Sequence, residues 1–214
     1  VKLSRQDFET RYANGTLRLA FIGMSNIGKS YTAGRLAKRL DFKLIEIDKL
    51  IWEELGHSDM DAFATWQGQP YSDGYAEREK ESIRLETKAT IKAIAMGNGN
   101  IILDTPGSVI YTGQATLAAL KKTHFIVYIA ASDERMESLV QDYFETPKPL
   151  IWRDLFHQEI GQSPDDAILS SYPKLLADRS KQYESIADQT LTSNFILNPQ
   201  TSIEAIFENL KPTR

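Results

Sequence analysis

Cysteine is absent from all 214 residues. That excludes disulfide staples, thiolate-ligated zinc and cysteine nucleophiles. Histidine is scarce: His57, His124 and His157 are scattered without metal-ligand spacing and read as surface or strand residues. No apolar run approaches the ~20 residues that span a bilayer; the runs are short strands, such as Ile101-Ile102-Leu103. The stretch Val1–Tyr12 is charged and has no apolar signal-peptide core. A basic excess is missing too. The 25 Lys+Arg against 29 Asp+Glu give a net charge of −4, which argues against a general nucleic-acid binder. Repeats and low-complexity tracts are absent. The expectation is a cytoplasmic protein, monomer or homodimer, with a small-molecule partner and neither a nucleic-acid nor a membrane partner.

What is present is ordinary for a globular chain: 42% hydrophobic and 25% charged residues, enough to exclude disorder. Leu17–Gly23 is a short apolar run ending in glycine and predicts a buried strand. Ser30–Leu40 follows with Ala33, Leu36, Ala37 and Leu40 at helical spacing. Leu44–Ile47 predicts a strand and Asp48–Leu55 a short helix ended near Gly56. Ser58–Gly74 reads as a loop-rich substrate region in which Trp66 and Tyr71 line a pocket, whereas Trp52 packs in the core. Tyr75–Met96 predicts a long helix, Ile101–Asp104 a strand, Thr112–Lys122 a helix and His124–Ala130 a strand. Ser132–Phe144 predicts a helix that the prolines at 147 and 149 must end. Further helix is expected over Ala167–Ala187, a last strand at Phe195–Leu197, and a final helix opened by a Thr201/Glu204 capping box. Strand and helix alternate about five times. The fold class is therefore α/β: a three-layer α/β/α arrangement on a mainly parallel sheet of about five strands. One domain spans 1–214, with 58–82 as substrate-binding region and 142–162 as lid.

Gly23-Met24-Ser25-Asn26-Ile27-Gly28-Lys29-Ser30 fits G-x-x-x-x-G-K-[ST] completely. The glycines let successive N–H groups turn towards phosphate oxygens, and the next helix aims its positive N-terminus at the same anion. Gly23, Ser25, Asn26, Ile27, Gly28, Lys29, Ser30 and Tyr31 are the expected ATP-binding residues. Lys29 would reach the β and γ phosphates and Ser30 would ligate Mg²⁺. Asp104, ending a strand in Asp104-Thr105-Pro106-Gly107, reads as a magnesium-side carboxylate, as the D-x-x-G of a GTPase, or as a simple turn cap. The GTPase reading needs an N-K-x-D that the chain lacks. Asp48 ends the second strand, where parallel sheets place ligands. A carboxylate there can take the proton of an acceptor hydroxyl, although Asp is also a favoured helix cap. Arg35, Lys38 and Arg39 read as a solvated basic helix face.

With these motifs in this order, the chain resembles the shikimate kinase family, within the nucleoside-monophosphate-kinase-like P-loop proteins, over roughly Leu17–Leu210. Glu46-Ile47-Asp48 through Glu53 looks like the family's D-x-D-x-x-I-E. The resemblance implies that Asp48 binds acceptor hydroxyls and acts as base, and that Glu46 joins Ser30 and Asp104 on the metal side. Arg179-Ser180-Lys181-Gln182-Tyr183-Glu184 looks like R-x-x-x-Y-E, making Arg179 a clamp for an acceptor carboxylate. Lys148-Pro149-Leu150-Ile151 is similar to the lid motif R-P-L-L, with Lys148 as a catalytic cation. Thr105-Pro106-Gly107 keeps the last glycine, Gly107, of a family triplet at the acceptor. Three departures stand out. The family's Phe-Arg pair on the acceptor helix, followed by a glutamate, matches Tyr75-Ala76 and Glu79, leaving Arg78 as the nearest substitute anchor. An adenine-packing arginine is replaced by Gln141. Lysine stands for the lid arginine. The implied activity is ATP- and Mg²⁺-dependent phosphorylation of a hydroxyl on a small, anionic metabolite. The rivals are a nucleotide or sugar-acid kinase and a non-catalytic ATP-binding regulator.

Overall fold

The computed structural model describes residues 3–56, 59–145 and 149–213. An opening helix α1 (Arg5–Ala13) is followed by β1 (Arg18–Ile22), α2 (Lys29–Leu40), β2 (Lys43–Glu46), α3 (Ile47–Leu55), α4 (Met60–Gln67) and α5 (Tyr75–Ala95). Then come β3 (Ile101–Asp104), α6 (Gln114–Thr123), β4 (Phe125–Ala130), α7 (Asp133–Glu145), α8 (Pro164–Ile186), β5 (Gln189–Thr192), α9 (Ser193–Leu197) and α10 (Ile203–Leu210). The five strands are all parallel in the order β2-β3-β1-β4-β5. Among the described residues no helix is long and apolar enough to cross a membrane.

The sheet explains itself from the sequence. In β3 all four residues are buried, and in β1 four of five. Strands covered on both faces read as continuous apolar runs rather than alternating ones. β1 lies between β3 and β4, so the chain first builds outwards to one side and then to the other. The crevice at the carboxyl ends, beside β1, is where such sheets bind ligands. The residues that follow β1, β2 and β3 all open there.

Four expectations need correction. Phe195–Leu197 is not a strand but the end of the short helix α9, capped by Thr192, whose hydroxyl accepts the Phe195 N–H. The fifth strand lies just before it, and only Leu191 of its four residues is buried, so it carries no apolar run to detect. The loop-rich region contains α4, with Asp59 accepting the Ala62 N–H at 2.9 Å. Eight residues that bury only Phe63 and Gln67 are too short a pattern to stand out. The final helix is capped by Ser202, which accepts from Ala205, one residue after the expected Thr201. Finally, α1 carries only one buried residue, Phe8, in a charged helix, and was not anticipated; a Ser4/Asp7 capping box opens it.

Candidate active site

The phosphate loop bridges β1 and α2. Its conformation explains both fixed glycines. Gly23 has φ +142°, and a Cβ there would lie 2.6 Å from the Ile129 carbonyl oxygen of β4. Gly28 has φ +99°, and a Cβ would press into Leu197 and Ile196 of α9. Asn26 is left-handed as well, an option asparagine takes more readily than most residues. Ile27 is buried, and Tyr31 is exposed with Arg35 over its ring. The Lys29 ammonium is nearly buried and donates to the carbonyls of Gly23 (3.0 Å) and Met24 (2.7 Å). An ammonium has three donors, so one remains for a ligand at the loop. Burial lowers the Lys29 pKa, and the charges of Asp104 and Asp48 oppose that shift.

On the sheet side, Asp104 and Glu46 end adjacent strands in register. Asp104 is buried and takes a hydrogen bond from the Ser30 hydroxyl, while its Oδ1 has no partner. Burial raises its pKa, with Lys29 pulling the other way. Glu46 is ion-paired with Lys49 at 2.5 Å. A hydroxyl and two carboxylates next to a phosphate cradle are hard oxygen donors, and an orphaned buried carboxylate oxygen among them fits a Mg²⁺ that takes its other ligands from phosphate and water. Helix α3 starts at Ile47 with Glu46 at its cap, and Asp48 sits inside the first turn. Asp48 is therefore not the helix cap.

Beside the loop lies a cavity of about 40 Å³, room for a few waters. Asp48 of α3, Ser25 of the loop, Gly107 after β3, Glu86 of α5 and Arg179 of α8 line it. Met60 and Phe63 of α4 close it, with Trp66 stacked behind Phe63 at 5.5 Å. Gly107 leaves no spare room: a Cβ would stand 3.3 Å from the Ser25 nitrogen. Its carbonyl accepts from the Tyr183 hydroxyl and, at 3.5 Å, from Arg179. Arg179 is almost fully buried, donates to the Ile151 carbonyl at 2.8 Å, and has no partner at Nε. Glu86 is buried too. One of its oxygens takes the Ser108 hydroxyl at 2.5 Å; the other has no partner. Burial pushes the Glu86 pKa up to about 8, with the Ser108 hydrogen bond opposing and the nearby Asp48 charge adding.

The shikimate kinase family profile matches residues 25–211. The chain belongs to the shikimate kinase family. It is 28% identical over 194 residues to the shikimate kinase of Mycobacterium tuberculosis (strain ATCC 25177 / H37Ra), covering 91% of this chain and 93% of that protein. It is 24% identical to the shikimate kinase of Enterococcus faecalis over 194 residues, with coverages of 90% and 98%. Among solved structures, the Bacteroides thetaiotaomicron shikimate kinase superposes with a TM-score of 0.62 at 17% identity over 91% of this chain and 96% of that one. The Acinetobacter baumannii enzyme, solved in complex with shikimate, gives 0.59 at 20% over 91% and 90%. The structural likenesses establish the fold.

Helix α5 buries two glutamates, Glu79 and Glu86. Glu79 is not at the cavity. Its Oε1 accepts from the Tyr75 hydroxyl (2.8 Å) and from the N–H groups of Trp152 (2.6 Å) and Arg153 (2.9 Å). The glutamate lining the cavity is Glu86, seven residues on. Two helical turns cover about 7.2 residues, so both registers lie on one face and spacing alone does not separate them. The signal was the stripe Ser82, Leu85, Glu86, Ala89, Ala93: all are buried, and a carboxylate inside such a stripe is costly unless it has a task. In this register the arginine position holds Ile83, where the other gave Ala76. Arg78 does not reach the cavity, because it donates to the carbonyls of Gln67 and Asp73, both at 2.9 Å. Tyr71 also lies outside, against Phe156. Lys148 lies outside the described residues. Of the expected lid, 150–152 is buried wall, held by Gln67 and Tyr75 on the Leu150 carbonyl and by Arg179 on that of Ile151.

Proposed function

We propose that the protein transfers the γ-phosphate of ATP to a hydroxyl of a small anionic acceptor, with shikimate as the first acceptor to test. The observation that carries this reading is the single cavity shared by the phosphate loop (Ser25), a carboxylate (Asp48) and a buried guanidinium (Arg179). Transfer of a phosphoryl group is mostly a matter of positioning and of offsetting negative charge. Lys29 and the loop N–H groups hold the phosphates. Ser30, Asp104 and Glu46 hold Mg²⁺, directly or through water. Bound there, the ion would supply positive charge against the charge that develops on the phosphates. Asp48 orients the acceptor hydroxyl and takes its proton. Arg179 binds the acceptor's anionic group; its planar fork suits a carboxylate. Tyr183 and Gly107 hold that guanidinium side in place. Lys148 supplies a further positive charge to the transferring phosphate.

A catalytically silent ATP-binding role is the second reading. It is favoured by the missing second anchor, since Ile83 or Ala76 stands where the family sets an arginine. The two readings separate in a velocity experiment with shikimate varied. Arg179→Lys is expected to raise the acceptor KM about tenfold or more while leaving the ATP KM nearly unchanged. ATP binding without acceptor-dependent ADP release in the wild type supports the silent role instead.

A further inference from the structure

We infer that Arg135 of α7 is a positioning residue that locks the phosphate loop at Asn26 in its anion-binding turn and so sets the affinity for the nucleotide triphosphate. The inference rests on triphosphate binding at the loop and not on what the phosphate is transferred to. Arg135 lies far outside the glycine-lysine motif in the sequence. In the fold, its Nη2 donates to the Asn26 carbonyl at 2.8 Å. The same nitrogen is ion-paired with Asp142 at 2.6 Å, and Nη1 donates to the Ser138 hydroxyl at 2.8 Å. Nε has no partner, so the two outer nitrogens carry the whole hold.

The position of that contact matters more than its strength. A cradle of successive N–H groups requires turns that alternate in hand. Asn26 (φ +59°) and Gly28 (φ +99°) supply left-handed residues within this loop. Glycine takes that form at no steric cost. Asparagine tolerates it but still has a Cβ, so the form needs outside support. A charge-assisted bond to the Asn26 carbonyl fixes the peptide plane that follows the left-handed residue. The guanidinium itself is aimed in advance, because residues 135, 138 and 142 share one face of α7. The helix is fixed in turn. The Ser132 hydroxyl accepts the Arg135 N–H at 3.2 Å and donates to Asn194 at 3.0 Å, and the Ser132 N–H donates to the Ser193 hydroxyl at 3.2 Å. Ser193 and Asn194 open α9, whose Ile196 and Leu197 stand against Gly28. The two left-handed residues are thus gripped from two sides, Gly28 by packing and Asn26 by a fork.

The test is a calorimetric titration of MgATP and of magnesium tripolyphosphate, which has no nucleoside, into wild type, Arg135→Met, Asp142→Ala and the double variant. Arg135→Met should weaken both ligands equally, by about tenfold, with the acceptor KM nearly unchanged. Asp142→Ala should weaken both by about threefold in the wild-type background and add nothing in the Arg135→Met background, since the carboxylate acts through the arginine. Wild-type affinities in Arg135→Met overturn the inference. So does a loss confined to MgATP, which would place the arginine on the nucleoside, or additive losses in the double variant. A wild type that binds neither ligand overturns the ATP-binding reading, and the inference with it; binding of both without turnover of any acceptor overturns only the phosphotransferase reading. Should Arg135→Met fail to fold, Arg135→Lys decides: one ammonium cannot serve Asn26, Ser138 and Asp142 together, so both ligands should again weaken, and affinities equal to wild type overturn the inference.

Discussion

Glu86 leaves a mark on stability that needs no substrate to detect. Its ordinary pKa is 4.5 and its folded value is about 8, so the folded state binds this proton more tightly than the unfolded chain. The resulting stabilisation is fully present below about pH 4.5 and is lost progressively as pH rises to about 8. Glu86→Gln has nothing to lose over that window. The gap in Tm between Glu86→Gln and wild type should therefore widen in the mutant's favour from pH 5 to pH 8, by several degrees, given ~2–4 °C per kcal/mol for a chain of this size. A gap independent of pH would mean that Glu86 titrates normally. The same scale separates Arg179 from Arg78. Arg78 lies on α5 and Arg179 on α8. Both donate to backbone carbonyls, but only Arg179 lines the cavity.

At the scale of elements, the phosphate loop depends on the sheet beneath it. Gly23 crosses directly over the Ile129 carbonyl of β4, so Gly23→Ala combines a disfavoured φ with a backbone overlap. The expected cost is about 1–3 kcal/mol, read by chemical denaturation, together with weakened ATP binding in a nucleotide titration. A variant as stable as wild type would contradict the geometry. The elements also show what the sequence could reveal. β1, β3 and β4 are buried apolar runs, and the glycine-lysine motif between a strand and a helix has no common alternative; these were legible. Hidden were features whose physics is not periodic. β5 buries one side chain, α4 is eight residues long, and the segment at 150–152 is held by Tyr75, Gln67, Glu79 and Arg179 from three other elements. The choice between Glu79 and Glu86 was hidden for a related reason, since a seven-residue shift preserves the helix face. Only the tertiary partner tells them apart: Trp152 for one, Ser108 and the cavity for the other.

For the whole molecule, the strand order β2-β3-β1-β4-β5 brings the carboxyl ends of β1, β2 and β3 to one edge, and with them Lys29, Asp48 and Asp104. Helices α5 and α8 then close the acceptor side with Glu86 and Arg179. The phosphate machinery follows the family pattern more closely than the acceptor side does, so the central claim is that one connected site carries out transfer, with Asp48 as base. The most direct measurement compares wild type with Asp48→Asn for shikimate-dependent ADP release, alongside MgATP affinity. The predicted result is acceptor-dependent release in the wild type, reduced by on the order of 10²–10⁴ in the variant, with ATP affinity nearly unchanged. Equal release by both proteins, or release by neither despite ATP binding, would contradict it.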